Sequence, residues 1–131
     1  MNAYARSAIQ QYGQTRSVSA VEAANPHRLI QMLLQGALDK IAVAKGAMLH
    51  HNVAAKGENI GWAISIVDSL RASLNHEAGG DLADNLSALY EYMGNRLLLA
   101  NTRDDVAILD EVAGLLREIK SGWDGIADQV R

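Results

Sequence analysis

The chain has no cysteine and no phenylalanine, and a single proline. Without thiols there is no disulfide framework, no thiolate metal site and no cysteine nucleophile, a composition that suits a reducing compartment. Basic residues are too few for a nucleic-acid or anionic-lipid surface: 12 Lys and Arg stand against 15 Asp and Glu, a net charge of -3, whereas backbone binding calls for cations clustered on one face. No apolar run approaches membrane-spanning length, and the start, MNAYARSAIQQYGQ, lacks the apolar core of a signal peptide. The expectation is a soluble cytoplasmic protein that binds neither nucleic acid nor membrane. Alternating β-branched runs are scarce while Ala and Leu abound, so the 131 residues read as one all-α domain, large enough to bury a core without a metal or disulfide staple.

What is present is helical periodicity. Asn25-Pro26 is a helix start, with Asn as cap and proline at the first helical position, where its missing N–H costs nothing. From there to about His50 the apolar stripe is Ile30, Leu33, Leu34, Ala37, Ile41, Ala44 and Met48, with Leu38 beside it. Gly36 and Gly46 weaken this helix and point to close packing. His50-His51-Asn52 reads as a turn, and a second helix over Val53 to Leu74 buries Ile60, Ile64, Val67, Leu70 and Leu74. Gly79-Gly80 then breaks the pattern, and Asp81 is a candidate cap for a third helix with the stripe Leu82, Leu86, Leu89, Tyr90, Met93, Leu97 and Ala100. Thr102 to Asp105 looks like the next cap with acidic residues in the first turn. The fourth helix presents Val106, Leu109, Val112, Leu116, Ile119, Trp123, Ile126 and Val130. Long helices joined by short turns fold back on one another, which predicts an antiparallel up-and-down four-helix bundle over residues 26–131.

Residues 1–25 form a cap and connector. Ala5, Ala8, Ile9 and Tyr12 share one side of a short helix over Met1 to Gln14, which needs a surface to lie on. Val18 and Val21 are isolated apolar pegs in the polar stretch that follows. Within the bundle some apolar residues are surplus to the stripes. At about 100° per residue Trp62 points roughly 160° away from Ile60 and Ile64, with Ile66 one turn further on the same side, so both are expected outside the main core unless another segment covers them. Tyr92 and Leu99 lie off the third stripe.

Catalysis finds no support in the motifs. The histidines are His27, His50, His51 and His76, and no Glu-x-x-His pair of the di-iron bundle kind occurs. His50 and His51 are consecutive and cannot share a helix face as zinc ligands at i, i+4 would. A phosphotransfer bundle carries an exposed histidine with a Lys-Gly pair beginning three residues on. Here Lys56-Gly57 begins five residues after His51, about 140° round the helix, and the cation cannot share its face. No cofactor and no metal are expected. The surplus apolar residues leave three readings open: grooves for a partner's amphipathic helices with the N-terminal helix as a displaceable lid, an ordinary bundle with a permanent lid, or an oligomerising bundle.

Separated sequence blocks, in order and at suitable distances, resemble the FliS family of flagellar export chaperones. They are VEAANPHRLIQMLLQGAL from Val21 to Leu38, Leu-Asn-x-Glu-x-Gly-Gly with Asn-Leu-x-x-Leu-Tyr-x-Tyr-Met and Arg-Leu-Leu-x-Ala-Asn between Leu74 and Asn101, and ILDEVAGLLREIKSGW from Ile108 to Trp123. The resemblance runs from about Ile9 to Trp123 and implies a four-helix bundle with a mobile N-terminal helical cap. It also implies that the disordered C-terminal segment of flagellin wraps the bundle and displaces the cap, which prevents premature polymerisation and keeps flagellin competent for export. Ile9 and Tyr12 match the family's Ile-x-x-Tyr pair implicated in flagellin binding. With Val18, Val21, Trp62, Ile66, Tyr92 and Leu99 they make up the expected partner-binding set, while Leu86, Leu89 and Met93 are assigned to the core. An export-gate component or a regulator is a further expected partner, and the free protein is expected to be a monomer or a weak homodimer. The chain departs from the family's usual pattern at Asn25, at Leu34-Gln35, at Gly94-Asn95 and at Trp62, where many members have Lys.

Overall fold

The computed structural model describes residues 25–126. Among them are four α-helices and no strand: α1 (Pro26–Leu49), α2 (Val53–Ala72), α3 (His76–Arg103) and α4 (Val106–Gly125). The connections are so short that each helix must run back along its predecessor. Contacts join α1 to α2, α2 to α3, α3 to α4 and α4 back to α1, most extensively between α1 and α2 and least between α3 and α4. The helices therefore close a ring in chain order, the expected antiparallel bundle.

Every start is fixed by a side chain that accepts from an otherwise orphaned backbone N–H. Asn25 accepts from Arg28 at 2.7 Å, Asn52 from Ala55 at 3.1 Å, Asn75 from Ala78 at 3.0 Å and Asp105 from Ala107 at 2.9 Å. Two boundaries differ from expectation. Asp81 is not the cap of α3, and Gly79-Gly80 is not a gap between helices: Asn75 caps the helix and α3 passes through the pair by a kink at Gly80 (φ 52, ψ -127). Asn75 stands closer to the end of α2 and caps equally well, and glycine permits the kink without a loop. At the other boundary Thr102 and Arg103 belong to α3, Asp104 ends it in the left-handed region at φ 52, and no acidic residue occupies the first turn of α4.

The core runs through all four helices, with Leu33, Leu34 and Ile41 from α1, Ile60 and Leu70 from α2, Met93 and Leu97 from α3, and Leu109 and Leu116 from α4. Leu86 and Leu89 are half-buried against it. The expected position of Ile66 is corrected: its side chain is 0% exposed and lies in the core. The prediction assumed one buried stripe, but α2 packs against α1 on one side and α3 on another. Its buried positions therefore run round most of the helix and include Ser65 and Ser69. Their hydroxyls donate back to the carbonyls of Gly61 and Ser65 at 3.1 and 3.0 Å, which lets small polar residues stand inside a helix interface. Trp62 is half-buried against the core with the Lys40 ammonium 5.5 Å from its ring centroid, and Leu99 is half-buried as well. Leu82, expected at the head of the α3 stripe, is 67% exposed. Gly46 is no close-packing site, since a Cβ there would meet nothing within 4 Å.

Candidate functional site

Up-and-down topology brings the start of α1, the end of α2, the start of α3 and the end of α4 to one end of the bundle. All four carry apolar side chains there, and these do not close over one another. Between them is a groove of about 700 Å3. Its floor includes the buried Leu34, Leu70 and Tyr90, and its rim carries Leu29 and Leu82, which are 40% and 67% exposed. The kink at Gly80 shapes one wall by directing the first turn of α3, with Ala78 and Gly79, along the opening. A Cβ on Gly79 would stand 2.8 Å from the Cβ of Ala83, so this turn lies close against the next.

Another wall joins α1 to α4. The His27 and Trp123 rings stack with centroids 4.7 Å apart and planes 10° from parallel, and Trp123 Nε1 donates to the His27 carbonyl at 2.9 Å. Beside this stack Asp124 accepts from Lys120 Nζ at 2.7 Å and from Gln31 Nε2 at 2.8 Å. The Lys120 bond, helped by Gln31, holds the Asp124 carboxyl below the usual aspartate range. On the floor, burial pushes the Tyr90 phenol up to about 12, so it stays neutral at physiological pH. No Asp, Glu, Lys or Arg is among the described residues that line the groove. Such a lining has the chemistry to take up an apolar or amphipathic segment. Among the described residues no group of His, Asp and Glu is placed to hold a metal ion, and no helix is long and apolar enough to cross a membrane.

The expected binding residues are distributed differently. Ile9, Tyr12, Val18 and Val21 lie outside the described residues. Trp62, Ile66, Tyr92 and Leu99 are described, and none of them lines this groove. Trp62 meets Lys40 of α1, whereas Tyr92 looks toward α4, where its hydroxyl donates to Glu111 Oε2 at 2.7 Å. Arg96 completes that seam by donating to Glu111 Oε1 at 2.8 Å. The Arg96 bond first and the Tyr92 bond second hold the Glu111 carboxyl below its usual range, and the bond to Glu111 raises the Tyr92 hydroxyl. Sequence reasoning passed over Leu29, Leu74, Leu82, His27 and Trp123 as a group. One signal was available: in an up-and-down bundle these residues, near alternate helix ends, must converge.

The match to the family model for flagellar protein FliS extends over residues 8–130 and includes every described helix. The chain belongs to the FliS family. It is 53% identical over 124 residues to the flagellar secretion chaperone FliSB of Pseudomonas aeruginosa, covering 95% of this chain and 98% of that protein. To the flagellar secretion chaperone FliS of Salmonella typhimurium it is 45% identical, over 95% of this chain and 93% of that one. To FliS of Vibrio cholerae it is 43% identical, over 92% and 89%. Secretion chaperoning, the role in the names of these FliS relatives, is not catalytic, and this FliS-family chain is not an enzyme.

Proposed function

We propose that this protein is a cytoplasmic flagellar export chaperone that holds the disordered C-terminal segment of flagellin, covering the apolar faces that would otherwise polymerise and keeping the client ready for export. The observation that carries the reading is the open apolar groove at the converging helix ends, in a chain whose relatives are named flagellar secretion chaperones. Release at the export gate requires reversible burial, and apolar contacts opposed by the ordering entropy of a disordered client supply it. Asn25 and Pro26, the first described residues, line the groove. In this reading Ile9, Tyr12, Val18 and Val21 form the lid that the client displaces. Trp62, Tyr92 and Leu99 extend the client path along the outside of the bundle, whereas Ile66 has no exposed surface to contribute.

The test is isothermal titration of the full chain with a peptide spanning the C-terminal helical region of flagellin from the same organism. One-to-one binding with a negative heat-capacity change is expected. Leu82→Asp, at an exposed rim position, is expected to weaken binding about tenfold while leaving the thermal midpoint within a few degrees of wild type. Ile9→Ala/Tyr12→Ala is expected to weaken binding as well. A folded wild-type protein that shows no heat of binding would remove the assignment.

A further inference from the structure

The groove wall supplied by the start of α3 depends on a bend in that helix. Gly80, at φ 52 and ψ -127, occupies a backbone region that essentially only glycine enters, and it divides α3 into a first turn and a body. The body is tied to α2, because Arg71 donates to Ser87 Oγ at 2.9 Å and to Glu91 Oε2 at 3.2 Å. The first turn is folded down onto the body. A Cβ on Gly79 would stand 2.8 Å from that of Ala83, whereas Cβ atoms four residues apart on a regular helix are about 5–6 Å from each other. One side-chain bond spans the bend: His76 Nδ1 lies 2.8 Å from Asp84 Oδ1, and since an ionised carboxylate only accepts, Nδ1 carries the proton. In a straight helix, residues eight apart are separated by about 12 Å along the axis, too far for two such short side chains to meet. This bond therefore exists only in the bent form.

We propose that His76 and Asp84 are positioning residues for the groove: their bond latches the first turn of α3 in the bent form, and the latched turn holds Ala78 and Gly79 as a wall for the seated segment. This rests on the reading of the groove as the flagellin site. Neither His76 nor Asp84 lines the groove, whereas Ala78 and Gly79 before the bend and Leu82 and Ala83 after it do. The side chains of the pair are 51% and 68% exposed, so the pair adds little to global stability. Its leverage is on shape. A bond made in only one of two arrangements of a hinge shifts the population toward that arrangement by its own free energy. A client that contacts the wall then meets a groove already in its binding form and is spared the cost of ordering it.

The experiment titrates full-length wild type, His76→Ala, Asp84→Ala, the double variant and His76→Asn with the same flagellin peptide, with thermal unfolding measured in parallel. Each alanine variant is expected to bind about threefold more weakly than wild type. The double variant should bind no more weakly than either, because the same single bond is lost in all three. Unfolding midpoints should stay within about two degrees of wild type, as befits an exposed pair. His76→Asn should restore the affinity, since its amide nitrogen takes the place of Nδ1 and donates to the same carboxylate. In the free proteins the 13Cα resonance of Gly80 should move toward its helical value in the alanine variants and stay in place in His76→Asn. Alanine variants that bind as tightly as wild type, effects that add in the double variant, or a loss that His76→Asn does not recover would overturn the latch while leaving the chaperone reading intact. Absence of any binding by wild type would overturn both.

Discussion

Neutralising Asp104 should destabilise the bundle more than replacing the amine that Asp104 pairs with. Lys56 of α2 donates to the carbonyl of Asn101 at 3.0 Å and to Asp104 Oδ1, and so ties the start of α2 to the end of α3. The two partners are unequally buried: the lysine side chain is 8% exposed and the aspartate side chain 68%. The ammonium has given up its hydration and depends on these two acceptors, whereas the carboxylate remains largely solvated. Lys56→Met removes a desolvated charge and keeps the buried stem. It loses the bonds to the helix-terminal carbonyl of Asn101 and to the largely solvated Asp104 carboxylate, and should cost about 0–1 kcal/mol. Asp104→Asn keeps an acceptor and tolerates the left-handed backbone at φ 52, but it leaves a buried cation without its counter-charge, at about 1–3 kcal/mol. With the lysine already gone, the Asp104 substitution should cost almost nothing, so the double variant should match Lys56→Met alone. Urea unfolding followed by circular dichroism measures all four proteins, and comparable m-values confirm a shared reference state. The reasoning is refuted if Lys56→Met costs more than Asp104→Asn, or if the two effects simply add.

Two glycines of the described helices should respond oppositely to alanine. Gly46→Ala, with nothing within 4 Å of the new Cβ, should raise stability by up to about 1 kcal/mol, and Gly79→Ala, with Ala83 2.8 Å away, should lower it; equal shifts in urea midpoint would discount the contact. Glu111 has a folded-state pKa below its unfolded value, so the stability it adds is present above the unfolded carboxylate range and fades as pH falls through the folded value. The melting-temperature gap between wild type and Glu111→Gln should therefore narrow between pH 6 and about pH 3, and a constant gap would place its origin in packing. Tyr90 gives the alkaline counterpart. With its folded pKa raised to about 12 from 10.0, the unfolded chain ionises first, and stability should decline as pH rises from about 10 toward 12. Absorbance at 295 nm should show a late phase of phenol ionisation, to which Tyr92 also contributes, and Tyr90→Phe should remove the Tyr90 part of that phase together with that part of the decline.

The element list was legible because its signals are local. Asn25-Pro26 at the head of α1, the His50 to Asn52 turn and the three-and-four spacing of Leu33, Ile41, Met93, Leu97, Leu109 and Leu116 each involve neighbours within a turn or two. The errors came where a local signal had two solutions. Asn75 and Asp81 both have capping chemistry, and what separates them is where α2 stops and how Gly80 bends the chain. Ile66 was misplaced because a periodicity argument assigns one buried face to each helix, and α2 has two.

By itself, the order of the residues determined that this is an all-α chain, where its first two helices begin, that the helices must fold back antiparallel, and which family it belongs to. These follow from capping, periodicity, turn length and the blocks between Val21 and Trp123. Only the tertiary structure decided which apolar residues stay uncovered. Leu29, Leu74, Leu82 and Trp123 are far apart in the chain and none is unusual on its own helix, yet four helix ends meeting without closing make them a groove. Burial is a property of neighbours, and for these residues, as for His27 against a tryptophan 96 positions away, the neighbours are supplied by other helices.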